Sequence, residues 1–362
     1  MKSRAHPCGP VPATSTRPER KTAPRRLLRA LPALPLLLAG CDEATHLRTY
    51  PRSMYAPRSG IAREVLELQN LTAYLGVAVG IFVFALLAYI MLRFRYRPGN
   101  PEPEQIHGNT RLELAWTLIP AVILAIIAVP TVRMIFETQR EAPANALKID
   151  VIGYQWWWEY RYAVNGGRDT VVTANEIHVP VGRPVQLRMT SKDVIHAFWI
   201  PQMGGKRDLI PNKTNTIMFT PEEPGIYLGH CTEFCGDSHA LMRMRLIAHT
   251  PEGYQEWLRN EFAPAKEPVD SSLAIGKRLV TQGACAGCHV IRGTPMVGRT
   301  GPDLTHMARR YTIAGGILEN NAHNLTEWLR NPPEVKPGSK MPNLNLKPEE
   351  IRYIVAYLQS LE

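Results

Sequence analysis

The chain has 362 residues, of which 45% are hydrophobic and 20% are charged, a balance that excludes a disordered polypeptide. Its formal net charge of +10 would suit a nucleic-acid-binding protein, but residues 1–30 hold eight Lys or Arg and one Glu, which supply +7 of it. The remainder is nearly balanced, so the composition argues against nucleic acid as a partner.

The first predicted element is a targeting segment, residues 1–40. Arg25, Arg26 and Arg29 precede the short apolar stretch ALPALPLLLAG, which is typical of a signal peptide and too short to span a membrane. The tetrapeptide LAGC ends at Cys41 and resembles a bacterial lipobox, so we expect Cys41 to be lipidated. A plain signal peptide, or a start site assigned too early, is the alternative.

Within residues 41–145, two apolar runs predict transmembrane helices over about 68–92 and 114–135. Each run is long enough as a helix to cross a hydrocarbon core of about 30 Å. Pro120 and Pro130 argue against a soluble helix but are tolerated in a membrane. A pair of buried core helices is the alternative.

The loop between the two runs is richer in arginine than either outer flank, which holds two arginines on each side. The positive-inside rule therefore places this loop in the cytoplasm. Everything after the second span then lies on the outer, periplasmic face of a bacterial plasma membrane, as the signal peptide also requires. The four loop arginines are Arg93, Arg95, Arg97 and Arg111.

From residue 146 to 260 the hydrophobic period changes to the alternation of an all-β sandwich. Val185, Leu187 and Met189, for example, share one face of a predicted strand. Residues 261–270 form a proline-containing linker. Residues 271–362 then read as a small all-α domain, whose last helix has apolar residues at helical spacing: Ile351, Ile354, Val355 and Leu358.

The stretch GHCTEFCGDSHALM, residues 229–242, concentrates the soft ligands Cys231, Cys235, His239 and Met242. Thiolate and imidazole suit copper, zinc or iron–sulfur centres, and methionine is a weak copper ligand rather than a zinc ligand. His196, in DVIHAFWIP, is placed to supply a distant imidazole. A sandwich with such a loop predicts a cupredoxin-like copper domain, in which two thiolates can bridge two copper ions. A disulfide is the alternative for the cysteines.

The pentapeptide CAGCH, residues 285–289, is the attachment signature of a c-type haem. Cys285 and Cys288 would bond the haem covalently, and His289 would be the proximal iron ligand. Met341, in the loop GSKMPNL, is the predicted distal ligand, because Met/His ligation gives the potential of an electron carrier. Met296 and Met307 are rivals. This region resembles a small class I cytochrome c.

Together, the copper loop, the DVIHAFWIP segment and the two membrane spans resemble subunit 2 of the cytochrome c oxidases over roughly residues 60–250. The resemblance implies a dinuclear copper A centre and a Mg²⁺ site shared with subunit 1, to which the Glu233 side chain contributes. The implied copper ligands are His196, Cys231, Cys235, His239, Met242 and the backbone carbonyl of Glu233.

The same resemblance implies two further roles. In GYQWWWEY, Trp156 corresponds to the electron-accepting tryptophan of the docking surface, although Tyr154 stands where the family usually has histidine. Cross-strand packing is the alternative for Trp157 and Trp158. In LELAWTLIP, Glu113 corresponds to a residue at the entrance of a proton pathway, with snorkelling as the alternative.

The resemblance thus predicts the electron-entry subunit of a proton-pumping haem–copper oxidase, in which the fused haem domain is a tethered donor at high effective concentration. Its partners would be subunit 1, other oxidase subunits and, as donor, a cytochrome c or an upstream respiratory complex. The alternatives are subunit 2 of a copper-A-containing nitric oxide reductase and a membrane-tethered copper or electron carrier. Nitrous oxide reductase would need a large catalytic domain, and the quinol oxidases lack the copper ligands.

Overall fold

The computed structural model describes residues 51–362, so the predicted leader and Cys41 lie outside the described range. Two long helices come first, α1 (Gly60–Arg93) and α2 (Thr110–Thr138). Their apolar side chains are largely exposed, and both helices are long and apolar enough to cross a membrane. These helices contain the two predicted spans and anchor the protein in a membrane.

The beginning of α1 is fixed to the domain that follows. The Ser59 hydroxyl accepts a hydrogen bond from Ala62 N, which caps the helix, and donates one to the carbonyl of Met203 at 2.8 Å. Arg63 pairs with Glu222 at 2.6 Å. These contacts lie at the N-cap and in the first turn of α1, so the helix begins directly at the surface of residues 147–249.

Residues 147–249 form the sandwich domain, in which two five-stranded sheets pack face to face. The strands are β1 (Leu147–Tyr154), β2 (Trp157–Val164), β3 (Asp169–Ala174), β4 (Glu176–Pro180), β5 (Val185–Ser191), β6 (His196–Trp199), β7 (Arg207–Leu209), β8 (Asn215–Phe219), β9 (Gly225–Cys231) and β10 (Arg243–His249). The first sheet has the order β3-β2-β1-β5-β8 and the second has β4-β10-β9-β6-β7. Two strand pairs, β1 with β5 and β10 with β4, are parallel, and the other pairs are antiparallel.

The alternation read from the sequence places the sandwich core correctly. Val185, Leu187 and Met189 of β5 are all fully buried, and the intervening side chains point outwards. The large aromatic residues Trp158, Tyr160 and Tyr162 of β2 fill the same core. This packing makes the strand ends that carry the metal-ligand candidates rigid.

Helix α3 (Pro251–Phe262) follows β10 and was not anticipated. Thr250 caps it by accepting a hydrogen bond from Gly253 N, and Pro251 suits its first position. Its Trp257 stacks on His178 of β4, with ring centroids 4.3 Å apart. The extended connection between domains is therefore residues 263–269, shorter than the predicted linker.

Residues 271–362 form the C-terminal domain, built of helices around a second core. Ile351, Ile354, Val355 and Leu358 of the last helix are buried in that core, as their spacing predicts. The fold class is thus confirmed as a two-helix membrane hairpin, a cupredoxin-like sandwich and a small helical domain. The elements are α4 (Ser271–Gln282), β11 (Thr312–Ile313), β12 (Leu318–Glu319), α5 (Ala322–Arg330), α6 (Pro332–Val335) and α7 (Pro348–Gln359).

Candidate metal centre and haem-attachment site

The ends of two neighbouring strands and one loop bring the metal-ligand candidates together. His196 is the first residue of β6 and Cys231 is the last of β9, and these strands pair through Phe198 opposite Cys231. The loop of residues 232–242 then returns to β10, whose first residue follows Met242. Residues 35 positions apart in the sequence therefore meet at one edge of the second sheet.

The side-chain donor atoms form a compact cluster around the two cysteine sulfurs, which lie 3.8 Å apart. A disulfide has sulfurs at about 2.05 Å, so the two thiols are free. Cys231 Sγ lies 4.0 Å from His196 Nδ1 and 3.2 Å from the Glu233 carbonyl oxygen. Cys235 Sγ lies 3.5 Å from His239 Nδ1 and 3.9 Å from Met242 Sδ.

This donor set fits copper. It contains thiolate, imidazole, thioether and one carbonyl oxygen, a combination that suits a soft transition metal. Each cysteine has its own histidine and one weak ligand, and the sulfurs face each other, as two ions sharing both thiolates would require. Cys231, Cys235 and Met242 are buried, and His196 is completely so. His239 is partly exposed, and water has little access to the other four side chains.

Asp193 orients the deepest ligand. Its Oδ1 lies 2.9 Å from His196 Nε2, which leaves Nδ1 directed towards Cys231. Burial opposes the charge of Asp193, but hydrogen bonds from His196 and from the backbone amides of Gln155 and Val194 outweigh it and hold its pKa well below the usual range. A carboxylate that fixes the far nitrogen of a ligating histidine is a common support of metal sites.

The thiol pair is predisposed to lose a proton. The hydrogen bond from Cys235 stabilises the Cys231 thiolate, and further hydrogen bonds lower the pKa of Cys231. Burial opposes protonation of His196, but its hydrogen bonds to Asp193 and Cys231 raise its pKa. One thiol of the pair, Cys231, therefore favours the thiolate, the form that binds a metal, whereas its hydrogen bond with Cys231 and burial raise the pKa of Cys235.

A second layer of contacts holds the loop. The Cys235 carbonyl accepts hydrogen bonds from Trp156 Nε1 at 3.0 Å and from Gln155 Nε2 at 2.8 Å. Gly236 adopts φ = +111°, and a Cβ there would lie 3.0 Å from the Trp156 ring. The indole thus packs directly on the backbone of the ligand loop, and a larger residue at position 236 would push it away.

The aromatic residues of β1 and β2 divide into two groups. Trp158 is fully buried and meets Phe198 edge to face, whereas Trp157 stacks on Tyr154 across the strand pair with ring centroids 4.6 Å apart. Trp156 is only 7% exposed. Its ring is covered by Gly338 of the C-terminal domain, whose added Cβ would lie 2.6 Å from the ring. The C-terminal domain therefore covers the Trp156 ring in this arrangement.

The haem-attachment motif lies between α4 and the rest of the C-terminal domain. His289 Nδ1 lies 2.8 Å from the Pro302 carbonyl oxygen, so it donates to that carbonyl and leaves Nε2 free for iron. Burial lowers the pKa of His289, which keeps the imidazole in its neutral, ligating form. Cys285 is half-buried and Cys288 is exposed, and both thiols are free. These residues fit covalent haem c.

The three candidate methionines differ in burial. Met296 and Met307 are 3% and 5% exposed and belong to the core of the C-terminal domain. Met341 is half-buried and packs at the margin of the same core, as Cys285 also does. A methionine that already fills the core is poorly placed to turn towards a cofactor, which favours Met341 as the distal ligand.

Glu113 and Glu233, the two glutamates with predicted roles, lie in different surroundings. Glu113 lies in the first turn of α2, where its Oε1 accepts a hydrogen bond from Asn109 N at 3.1 Å. This contact is a helix cap and gives Glu113 a structural role. The Glu233 side chain is exposed on the ligand loop, beside Phe234, which is 78% exposed.

Sequence reasoning missed Gln155, which donates to the Cys235 carbonyl, and Asp193, which orients His196, because neither belongs to a ligand spacing.

Comparison with known proteins matches three segments of the chain to family models. Residues 51–134 match the cytochrome c oxidase subunit II transmembrane domain, residues 164–248 match its periplasmic domain, and residues 273–362 match cytochrome c. The cytochrome c oxidase subunit 2 of Alkalihalophilus pseudofirmus is 36% identical over 94% of this chain and 98% of its own length. That of Bacillus sp. strain PS3 is 32% identical over 93% and 97%.

Among solved structures, the periplasmic domain of subunit II of the Bradyrhizobium japonicum cytochrome oxidase is similar to part of the chain. It is 30% identical and covers 33% of this chain and 96% of its own, with a TM-score of 0.31.

Proposed function

The chain belongs to the cytochrome c oxidase subunit 2 family and carries a C-terminal cytochrome c domain. On that premise, we propose that it is the electron-entry subunit of a proton-pumping haem–copper terminal oxidase. It would pass electrons from a donor, through covalent haem c and dinuclear copper A, to subunit 1, where O₂ is reduced. The observation that carries this proposal is the buried cluster of paired thiols, imidazoles and thioether beside the docked haem-attachment domain.

When bound, the two groups would supply reversible one-electron chemistry at neighbouring sites. The residues proposed to hold copper are His196, Cys231, Cys235, His239, Met242 and the Glu233 carbonyl, and those proposed to hold haem are Cys285, Cys288, His289 and Met341. The protein keeps the copper donors dry and fixed, so that little reorganisation accompanies a change of charge. Asp193 and the Pro302 carbonyl fix the orientation of one histidine in each set.

Trp156 is proposed to connect the two domains. Its indole nitrogen donates to the carbonyl of Cys235, and its ring lies against the C-terminal segment that carries Met341. We therefore place the entry of external electrons at the C-terminal domain, and Trp156 at the internal boundary. The donor would be a cytochrome c or an upstream respiratory complex.

The sandwich and C-terminal domains are proposed to lie on the periplasmic face of the bacterial plasma membrane, and the arginine-rich loop between the spans supports this orientation. The exposed Glu233 and Phe234 on the ligand loop then face subunit 1, and Glu233 would contribute to a Mg²⁺ site shared with it. Glu113, at the cytoplasmic beginning of α2, is proposed to lie near the entrance of a proton pathway.

The test is to purify the assembled complex that contains this chain and to supply reduced cytochrome c. We expect O₂ consumption with uptake of protons, and little reduction of nitric oxide under the same conditions. Nitric oxide reduction without O₂ consumption would assign the chain to a nitric oxide reductase instead. A chain that purifies with copper but without partner subunits would support the carrier alternative.

A further inference from the structure

The C-terminal domain is docked on the sandwich domain through buried polar groups rather than held by its linker alone. Arg243 N, at the start of β10, donates to the Gly315 carbonyl at 3.1 Å. The Ser238 hydroxyl, on the ligand loop, donates to the Pro337 carbonyl at 2.5 Å. Lys340 lies 3.3 Å from Asp193, the carboxylate that orients His196. The contacts continue from the sheet edge to the ligand loop.

The connection between the domains is also fixed. Arg292 donates to the Glu261 carbonyl at 2.5 Å, and Ala265 N donates to the Arg292 carbonyl at 2.9 Å. His306 Nε2 lies 3.0 Å from the Ala263 carbonyl. Residues 261–265 therefore follow the surface of the C-terminal domain and do not behave as a free tether.

Glu176 of β4 reaches from the sandwich domain into the C-terminal domain. Its side chain is 1% exposed. The carboxylate accepts hydrogen bonds from the backbone amides of Tyr311 and Thr312, at 3.1 and 2.8 Å, and from the Thr312 hydroxyl at 2.8 Å. A buried carboxylate with three donors from one short segment of the partner domain specifies the position of that segment.

Lys336, 4% exposed, reaches in the opposite direction. Its Nζ donates to the Trp156 carbonyl of the sandwich domain at 2.6 Å and to the Ala314 carbonyl of its own domain at 3.0 Å. Burial lowers the pKa of Lys336 to about 7 and raises that of Glu176. A buried amine shared by two carbonyls ties Trp156 to the segment that ends at Met341.

We propose that Glu176 and Lys336 are positioning residues that lock the C-terminal domain onto the sandwich domain in one fixed register, so that the two redox sites do not have to search for each other. Each domain contributes one buried ionisable side chain: Glu176 accepts three hydrogen bonds from the C-terminal domain, and Lys336 shares its amine between one carbonyl of each domain. The contacts that cross between the domains exist only in the docked arrangement. The docking part of this inference stands on geometry alone, whereas its effect on electron transfer rests on the proposed function.

The experiment uses the full chain in the assembled oxidase, with two variants, Lys336→Met and Glu176→Gln. Lys336→Met leaves the two carbonyls without their donor, and Glu176→Gln weakens three hydrogen bonds. Leaving a buried polar group unpaired costs roughly 1–3 kcal/mol, so hydrogen exchange of the Tyr311 and Thr312 amides should accelerate by roughly tenfold to a hundredfold. Lys213→Met and Glu256→Gln are matched controls, since both native side chains are exposed.

The second measurement is the rate of electron transfer from haem c to copper after rapid chemical reduction of the haem. The rate should fall at least severalfold in both variants, with the haem spectrum and the copper resonance unchanged, while the controls behave as wild type. Thr312→Val is a milder variant that removes one hydrogen bond to Glu176 and should accelerate exchange by about two- to tenfold. Thr312→Val still tests the proposal if Lys336→Met or Glu176→Gln fails to assemble.

Unchanged amide exchange in the variants would overturn the lock. Faster exchange with an unchanged transfer rate would overturn the positioning role and leave docking incidental to function. Absence of haem-to-copper transfer in the wild-type oxidase would instead refute the proposed function, and the exchange data would still decide whether Glu176 and Lys336 hold the domains together.

Discussion

The copper-ligand loop and the haem-attachment segment present their ligands in different ways. In the loop, Cys231 and Cys235 are each 3% exposed and face each other across 3.8 Å. In the haem-attachment segment, Cys288 is exposed, and both Cys285 and the proposed ligand Met341 are only half-buried. The fold thus buries the two cysteines of the copper-ligand loop, whereas the proposed haem-binding residues Cys285, Cys288 and Met341 lie at the margin of the C-terminal core.

The difference follows from the size of what each set is proposed to hold. Metal ions occupy little volume, so a sandwich core can close around their donors before they bind. A haem has a large apolar surface that the protein must cover, and burial of apolar surface is a main source of stability. The sandwich domain should therefore fold without its metal, whereas the C-terminal domain should depend on its haem.

The largest expected effect comes from removing the haem. With Cys285→Ser and Cys288→Ser together, covalent haem should be lost completely, and the C-terminal domain should unfold in a separate, earlier transition. The copper signal and the sandwich domain should remain. Haem staining after denaturing electrophoresis and thermal circular dichroism would measure this. A single unchanged transition would show that the C-terminal core is complete without haem.

Removing one thiol of the copper site should abolish the centre without unfolding the domain. Cys231→Ser and Cys235→Ser keep nearly the same volume, but neither leaves two bridging thiolates. Electron paramagnetic resonance should show no mixed-valence dinuclear copper in either variant, and the unfolding midpoint of the metal-free chain should move by only a few degrees. An unaltered resonance in either variant would refute the ligand assignment.

A more graded effect is expected at Met341. Met341→His should lower the haem potential, because an imidazole replaces a thioether that favours ferrous iron. Each fall of about 59 mV costs tenfold in a one-electron equilibrium, so a fall of a few such steps would stall turnover. Met296→Leu is the matched control, since Met296 is a buried core residue. An unshifted potential in Met341→His would mean that another residue is the ligand.

The smallest expected effect is on how the stability of the sandwich domain depends on pH. Nδ1 of His178 lies 2.8 Å from Nε2 of His249, and the His178 ring is stacked against the Trp257 ring. Burial, the neighbouring ring and Arg310 lower the pKa of His178 well below 6.5, and burial also lowers that of His249. Both rings therefore stay neutral in the folded state, while the unfolded chain binds a proton on each below about pH 6.5.

Stability should consequently fall as the pH decreases below 6.5, by up to about 1.4 kcal/mol per histidine for each pH unit. Chemical unfolding of the detergent-solubilised chain between pH 5 and 7 would measure the slope. His178→Phe should flatten it, whereas His323→Gln, at an exposed position, should leave it unchanged. Equal slopes in wild type and His178→Phe would show that this pair does not control the acid sensitivity.

The candidate ligands could be read from the sequence because their spacing is short and chemically distinctive. Cys231, Cys235, His239 and Met242 all lie within one loop, and the structure clusters them with His196. The strand and helix periods likewise placed the buried faces of β5 and α7. Helix α3 was missed although Tyr254, Trp257 and Leu258 have helical spacing, because polar and charged residues outnumber them in PEGYQEWLRNEF.

The interface between the domains could not be read from the sequence. Lys336 meets Trp156 across 180 positions, and Glu176 meets Thr312 across 136. A lysine and a glutamate are usually solvated, and nothing in their neighbours indicates that these two are buried. The burial of Trp156 has the same cause, since the residue that covers its ring, Gly338, belongs to another domain.

Helix α1 supports the sandwich domain, because its first turn is fixed to that domain, and we call this helix the pedestal. Its 34 residues span about 51 Å, roughly 20 Å more than the hydrocarbon core, and the charged residues Arg63, Glu64 and Glu67 make its first turns the part that lies outside the lipid. Because Ser59 and Arg63 clamp these turns to the sandwich, the helix sets both the height and the heading of the copper site. Inserting one residue in the pedestal would swing the sandwich by about 100° around the helix axis, and removing a full turn would lower it by about 5.4 Å while keeping its heading.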